Sequence, residues 1–257
     1  MLIDTHCHLD FKDFDSDRDD VLKRAAAQGV RYIINVGSSL EGSRRSLSLA
    51  DKYESVFASL GIHPHEAPSA NEEAISELRH MARHKKVVAI GEVGLDYYKS
   101  ESPKESQKSA FRKFIRLAIE LDLPLIIHNR EANSDMLSIL ADESGGKIRG
   151  VMHCFSGDSG FLAQSLAMGL LVSFTCNVTF KNAANLRMAA AEAPLEKLLL
   201  ETDAPFLAPQ TFRGERNEPS YLKYLAEEIA KVKNISEEKV AKVTSENASE
   251  FFRLGKR

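Results

Sequence analysis

The sequence predicts an α/β protein folded as one (β/α)8 TIM barrel, and three observations indicate this fold. Eight short, nearly continuous apolar runs recur along the chain, each followed by a longer amphipathic segment. The length of 257 residues suits a single barrel domain over residues 1–257, since such barrels take about 250 residues. Polar residues that are able to bind metal follow the apolar runs, which favours a closed barrel over an open doubly wound sheet.

The apolar runs define eight predicted strands of four to six residues. They cover residues 2–6, 32–36, 56–60, 87–91, 124–128, 150–153, 170–174 and 198–202. No GxGxxG follows the first strand and no GxxxxGK occurs, so neither nucleotide-binding loop is present.

The segments between the strands carry helix signals. Gly29 is expected to end the first helix, which starts near Ser16 and Asp19. Residues 102–105 (SPKE) predict a capping box with proline at the first helical position. The region 219–252 predicts two helices divided near residues 234–236.

Composition excludes several classes of protein. The net charge of −3 argues against binding long duplex nucleic acid over the whole surface, because phosphate neutralisation needs many cations. No apolar run approaches the roughly 18 residues of a membrane span, and the N-terminus shows no signal peptide. Cys7, Cys154 and Cys176 are too few and too irregularly spaced for a disulfide scaffold. We expect a cytoplasmic protein, a monomer, with no membrane partner.

Residues with metal-binding side chains lie at or just beyond the ends of five predicted strands. They are His6, His8, Glu92, His128, His153 and Asp203. These strand ends share the carboxyl face of a barrel, where barrel enzymes place their active sites. Because His6 and His8 are two apart on a strand, their rings point the same way. Imidazole and carboxylate ligands suit zinc, manganese and iron, and magnesium when more carboxylate or water is present.

Six ligands exceed the three or four of one catalytic zinc ion, so we expect two divalent cations. The assignment places His6, His8 and Asp203 on one ion and His128 and His153 on the other, with Glu92 bridging them. A hydroxide between the ions would be the nucleophile, and Asp203 would orient it or take its proton. The alternative for each histidine taken singly is a structural role in the core. The metal, Mg, Mn or Zn, stays open.

The same residues lie in seven segments that resemble, in order, those of the TatD family of metal-dependent deoxyribonucleases. The segments are residues 4–10 (DTHCHLD), 61–65 (GIHPH), 91–98 (GEVGLDYY), 128–132 (HNREA), 153–157 (HCFSG), 201–206 (ETDAPF) and 213–219 (RGERNEP). One departure is Asn129, where serine is common in the family. The resemblance implies an amidohydrolase-like barrel holding two divalent ions on the six ligands. It also implies hydrolysis of phosphodiester bonds in DNA, often as a 3′-exonuclease with magnesium.

Four residues are candidates for contacts with a phosphodiester substrate. Arg213 and Arg216 follow the last strand, where barrels often bind phosphate; the alternative is a surface loop held by salt bridges to nearby glutamates. His63 contacts a phosphate or protonates the leaving oxygen, or else positions a ligand by a hydrogen bond. Tyr97, or Tyr98 beside it, offers a ring for an unpaired base; the alternative for a single aromatic residue is packing. Single-stranded or frayed DNA ends and small phosphodiesters are the expected substrates.

Two other functions remain compatible with the sequence. The same metal centre in a related barrel would hydrolyse an amide, a lactone or another ester, such as an aminoacyl ester on RNA. A metal-holding barrel that serves as an interaction protein is the second, but the complete ligand set argues against it.

Overall fold

The computed structural model describes residues 1–98, 100–145 and 148–255. Eight parallel strands form one sheet whose spatial order follows the chain. They are β1 (Leu2–Cys7), β2 (Val30–Val36), β3 (Val56–Leu60), β4 (Val87–Asp96), β5 (Leu125–Arg130), β6 (Gly150–Met152), β7 (Leu171–Phe174) and β8 (Leu198–Leu200). All eight predicted strands are present, and the predicted TIM barrel is confirmed.

Helices alternate with these strands, and a further helix ends the chain. They are α1 (Arg18–Ala27), α2 (Leu40–Lys52), α3 (Glu72–Met81), α4 (Lys104–Leu121), α5 (Asn133–Ser144), α6 (Ser159–Ala167), α7 (Ala184–Glu192), α8 (Leu222–Lys233) and α9 (Glu237–Phe251). Gly29 follows α1 with a φ of +80°, and Asn234 ends α8 in the left-handed conformation, as the sequence predicts. None of the helices in the described ranges is both long enough and apolar enough to cross a membrane.

The predicted capping box at the start of α4 is wrong. Pro103 is itself the N-cap residue, and no side chain caps this helix. The Ser102 hydroxyl is buried without a hydrogen-bond partner among the described residues, while its carbonyl accepts a bond from the Gln107 amide. The segment before α4 is therefore held by the buried side chain of Gln107, and the side chain of Ser102 does not cap the helix.

The interior of the barrel is closed at the amino ends of its strands. Each strand contributes at least one apolar residue to a cluster separate from the larger core that includes the helices. They are Ile3, Ile34, Val36, Phe57, Val88, Ala89, Ile126, Val151, Leu171 and Leu199. Phe252, just beyond α9, packs against the same cluster and is 1% exposed. With this end filled by apolar groups, the polar side chains are concentrated at the carboxyl ends.

The chain after β8 brings the last strand beside the first. Cys7 and Ala204 form a parallel bridge, and the N–H of Asp203 donates to the carbonyl of His6 at 2.9 Å. The N–H of His8 donates to the Ala204 carbonyl at 2.8 Å. These backbone bonds fix Asp203 next to His6 and His8, although Asp203 is far from both in sequence.

The strand β4 is longer than predicted: it continues past Gly91 to Asp96. Its register against β5 shifts between Ile90 and Val93, which marks a bulge where Glu92 lies. Gly94 has a φ of +148°, and a Cβ atom there would lie 2.0 Å from the carbonyl oxygen of His128. Glycine at this position therefore lets β4 approach β5 closely at a candidate metal ligand.

Candidate metal centre

A cavity of about 820 Å³ opens at the carboxyl ends of the strands. Five of the six predicted ligands line it, and His6 lies fully buried beneath them. The strand ends thus bring all six side chains together, as the barrel geometry requires.

The first donor cluster consists of His6, His8 and Asp203, whose donor atoms all lie within 4.8 Å of one another. Nε2 of His6 is 3.2 Å from Nε2 of His8. Oδ1 of Asp203 is 3.7 Å from the first of these nitrogens and 3.6 Å from the second. Two imidazoles and one carboxylate converging in this way are a donor set suited to a divalent cation.

The second cluster surrounds Oε1 of Glu92. Nδ1 of His128 lies 2.7 Å from this oxygen, Nε2 of His153 lies 3.5 Å away, and Nε2 of His63 lies 3.8 Å away. His63, Glu92 and His128 also satisfy the geometry of a three-ligand metal site. The sequence placed His63 with the substrate, whereas the structure gives it a place within reach of a cation as well.

Glu92 connects the two clusters through its two oxygens. Oε2 is 3.6 Å from Nε2 of His6 and 3.9 Å from Nε2 of His8, whereas Oε1 faces the second cluster. Burial alone would raise the pKa of Glu92, but the charges of His63 and His153 and hydrogen bonds from other imidazoles hold it well below its usual range. The carboxylate is ionised at neutral pH, the form that binds cations.

Two of the histidines are held in position by a hydrogen-bond acceptor at their other ring nitrogen, and a third has a carboxylate oxygen beside that nitrogen. Val36 accepts from Nδ1 of His8 at 2.9 Å through its carbonyl. Asp96 accepts from Nε2 of His128 at 3.0 Å, and Oε1 of Glu201 lies 2.8 Å from Nδ1 of His153. Such partners fix which nitrogen is free to bind a metal.

The buried imidazoles and carboxylates fit divalent cations. His128 lies between the carboxylates of Asp96 and Glu92, and although burial would lower its pKa, these two carboxylates raise it. Burial favours a neutral His153, but Glu201 and Glu92 outweigh it and raise its pKa to about 10. A cation would take the place of the protons on these rings. Nδ1 of His6 is buried without a partner in the described part of the chain.

Asp96 and Asp4 are site residues that the sequence reasoning missed. Asp96 is 1% exposed, and its Oδ2 contacts both His128 and, at 3.1 Å, Nε2 of His65. Asp4 accepts from the Thr202 hydroxyl at 2.6 Å and from its N–H at 2.9 Å, and burial raises its pKa to about 7. Both stand an even number of residues from a ligand on the same strand, a spacing that would have indicated them.

His63 lies on the cavity wall. Its Nδ1 accepts the N–H of His65 at 3.2 Å, which leaves its proton on Nε2, towards Glu92. Burial lowers the pKa of His63 to about 4, so the ring is neutral at pH 7. A neutral ring with its proton on Nε2 is suited to donating a hydrogen bond to an oxygen in the cavity.

The other expected substrate contacts lie elsewhere. Tyr97 donates to Asp135 at 2.7 Å, and Arg216 binds Asp17 with contacts of 2.7 and 2.8 Å. Arg213 lies over the ring of Phe180. None of Tyr97, Arg213 and Arg216 is among the described residues that line the cavity. Both arginines therefore contact residues outside the cavity, although these residues are not the glutamates expected from the sequence.

The fold and the donor set together define a metal-dependent hydrolase. The family described as TatD related DNase matches residues 3–253, and the chain belongs to this family. The Bacillus subtilis protein YabD, named an uncharacterized metal-dependent hydrolase, is 44% identical over 99% of this chain and 100% of its own length. A protein of Cronobacter sakazakii named 3'-5' ssDNA/RNA exonuclease TatD is 35% identical over 98% of this chain and 97% of its own.

Solved structures agree with the family assignment. The crystal structure of YJJV, a TATD homolog from Escherichia coli K12, has a TM-score of 0.93 and 30% identity, and it covers 98% of both chains. A TatD family hydrolase from Entamoeba histolytica has a TM-score of 0.89 and 25% identity, over 98% of this chain and 97% of its own.

Proposed function

We propose that this protein is a two-metal phosphodiesterase that removes nucleotides from the 3′ end of single-stranded nucleic acid. The position of Glu92 carries the proposal, because its two oxygens face two separate imidazole clusters. In this assignment His6, His8 and Asp203 hold one divalent ion, and His128 and His153 hold the other. Glu92 is shared, an arrangement suited to two ions in one site.

When bound, the two cations would lower the pKa of water and neutralise charge that develops on the phosphoryl oxygens. Asp203 faces the cavity with 15% of its side chain exposed, so it is placed to orient a water molecule and accept its proton. Opposing effects act on its pKa: burial would raise it, but His8 and the other imidazoles lower it, which keeps Asp203 a base. His63 is placed to donate a hydrogen bond to the phosphate.

The shape and charge of the site support an end-directed nuclease. A cavity of about 820 Å³ admits a nucleotide or two and not a long duplex. The net charge of −3 gives little general attraction for nucleic acid, so the affinity must arise locally at the cations. The exonuclease named among the relatives digests in the same 3′-to-5′ direction and acts on the same class of single-stranded substrate.

We further propose that the protein acts as a monomeric, single-domain enzyme of the cytoplasm. Its three cysteines are free, in keeping with a reducing compartment. Among the residues that the structure describes, the exposed large apolar side chains lie on separate parts of the fold and form no broad patch that would need a partner; they are Met1, Ile119, Met188 and Phe206.

The proposal is tested with a 5′-labelled single-stranded oligonucleotide and the protein loaded with Mg²⁺, Mn²⁺ or Zn²⁺. Stepwise shortening from the 3′ end is expected, and Asp203→Asn should abolish it. His80→Ala, an exposed histidine on α3, is the matched control and should cleave normally. Turnover of a lactone, amide or aminoacyl ester by a metal-loaded sample that leaves DNA and RNA ends intact would overturn the nuclease assignment.

A further inference from the structure

Two phenylalanines form a partly exposed aromatic wall on one side of the cavity, which we call the aromatic shelf. Phe11 and Phe206 have ring centroids 6.0 Å apart in an edge-to-face arrangement, and both line the cavity. Phe206 is 50% exposed, an unusual state for a phenylalanine that follows a candidate ligand by three residues. The shelf contacts the metal centre directly, since Phe11 stacks on His8 with centroids 4.7 Å apart.

A basic side chain lies across the cavity from the aromatic shelf. Among the described residues that line the cavity, Arg130 carries the one Lys or Arg side chain. It ends β5, which lies four strands from β1 in a ring of eight and thus halfway round the barrel. Its guanidinium lies 4.0 Å from the ring centre of Tyr98, which holds it at the rim.

We propose that the aromatic shelf stacks the unpaired base of the 3′-terminal nucleotide, while Arg130 binds the phosphate of the nucleotide before it. The scissile phosphate then lies between them, over Glu92. This inference rests on the proposed nuclease function and adds the binding sites of the terminal base and of the preceding phosphate. Aromatic faces bind every base by stacking, and a guanidinium fork matches phosphate oxygens, so the site reads an end without reading its sequence.

The shelf explains a preference for single strands. A base within a duplex has both faces covered by its neighbours, so it must unstack before it reaches Phe206. An exposed phenylalanine loses unfavourable contact with water when a base covers it. The function that the sequence reasoning assigned to Tyr97 is therefore carried by residues on the opposite strands of the barrel.

The chain contains no tryptophan, so Phe206→Trp creates a single fluorescent reporter on the shelf. Binding of a single-stranded hexathymidylate with a 3′-terminal phosphorothioate linkage, in Mg²⁺, should quench this emission. An otherwise identical oligonucleotide with an abasic 3′-terminal residue should bind without quenching. Emission unchanged at saturating hexathymidylate would overturn the shelf assignment.

The affinity of Phe206→Ala provides a second readout. Loss of one stacked base should weaken binding of hexathymidylate about 5- to 100-fold and leave the affinity for the abasic oligonucleotide unchanged. Met188→Ala, which removes a side chain of similar exposure on α7, is the matched control and should bind both normally. Equal loss of affinity for the two oligonucleotides would contradict stacking and would point to a different role for this surface.

Arg130 is tested through salt dependence. Arg130→Ala should reduce the slope of log affinity against log salt by about 0.7, the value for one phosphate contact on a single strand, whereas Arg83→Ala on the surface should not. An unchanged slope would remove Arg130 from the site.

Base-dependent binding without hydrolysis would refute the proposed nuclease and retain the shelf. If Phe206→Ala hydrolyses oligonucleotides as fast as the wild type, the nuclease proposal would be retained and the shelf assignment refuted.

Discussion

Oε1 of Glu201 lies 2.8 Å from Nδ1 of His153 and also accepts the N–H of Cys154 at 2.7 Å. This glutamate is 1% exposed and does not line the cavity, so it acts on the site through His153. It fixes the ring so that Nε2 faces Glu92, and it increases the basicity of that nitrogen.

Replacing Glu201 with glutamine should therefore weaken the metal centre and preserve its ligands. We expect about 10- to 100-fold lower affinity for a divalent ion at the His153 cluster, measured by competition with a chromogenic chelator. Glu196→Gln, an exposed position nearby, should leave the affinity unchanged. Equal affinities in the Glu201 variant and the wild type would show that this glutamate has no positioning role.

Metal removal should lower the thermal stability of the protein. Without metal, the carboxylate of Glu92 is surrounded by imidazoles and lacks its divalent cations. A cation present at 100 times its Kd stabilises the folded state by about 2.7 kcal/mol. For a chain of this size we expect a rise in Tm of roughly 5–10 °C on adding metal after chelation, measured by calorimetry. Glu92→Gln should lose most of that rise. A Tm indifferent to every divalent cation would argue against a metal centre.

The convergence of the six candidate ligands was predictable because a barrel collects the ends of all its strands on one face, whatever their separation in sequence. Asp96 was missed because the apolar run of β4 stops at Gly91, although the strand continues for five residues. The position of Arg216 was unpredictable for another reason. Its partner Asp17 is 199 residues away, and an ion pair between two loops leaves no periodic signal in the sequence.

Glycine at position 94 should be required for the geometry of the site. In Gly94→Ala the new Cβ would overlap the His128 carbonyl oxygen and would also need a strained positive φ. Overpacking and backbone strain together should cost at least about 3 kcal/mol of unfolding free energy in urea titration. Gly29→Ala is the matched control, because its φ is +80° but a Cβ there meets no atom within 4 Å. It should lose about 1–2 kcal/mol. Similar losses in the two variants would show that β4 has room to move away from β5.

The ion pair between Asp17 and Arg216 should make stability depend on acid pH. The hydrogen bonds from Arg216, with a second contribution from Arg24, lower the pKa of Asp17 to about 2. Since the folded pKa lies below the unfolded value near 3.8, the pair stabilises the protein above pH 4 and stops doing so as the pH falls through 2. Both side chains are partly exposed, so the contribution is about 1 kcal/mol or less.

Asp17→Asn isolates this effect, because it removes the charge and preserves the size of the side chain. Its deficit in unfolding free energy should be full at pH 7, should shrink between pH 4 and pH 2, and should vanish below that range, when measured by urea titration at each pH. Asp20→Asn, at an exposed position in the first turn of α1, should show a smaller deficit at pH 7. A deficit for Asp17→Asn that stays constant from pH 7 to pH 2 would mean that the contact with Arg216 does not depend on charge.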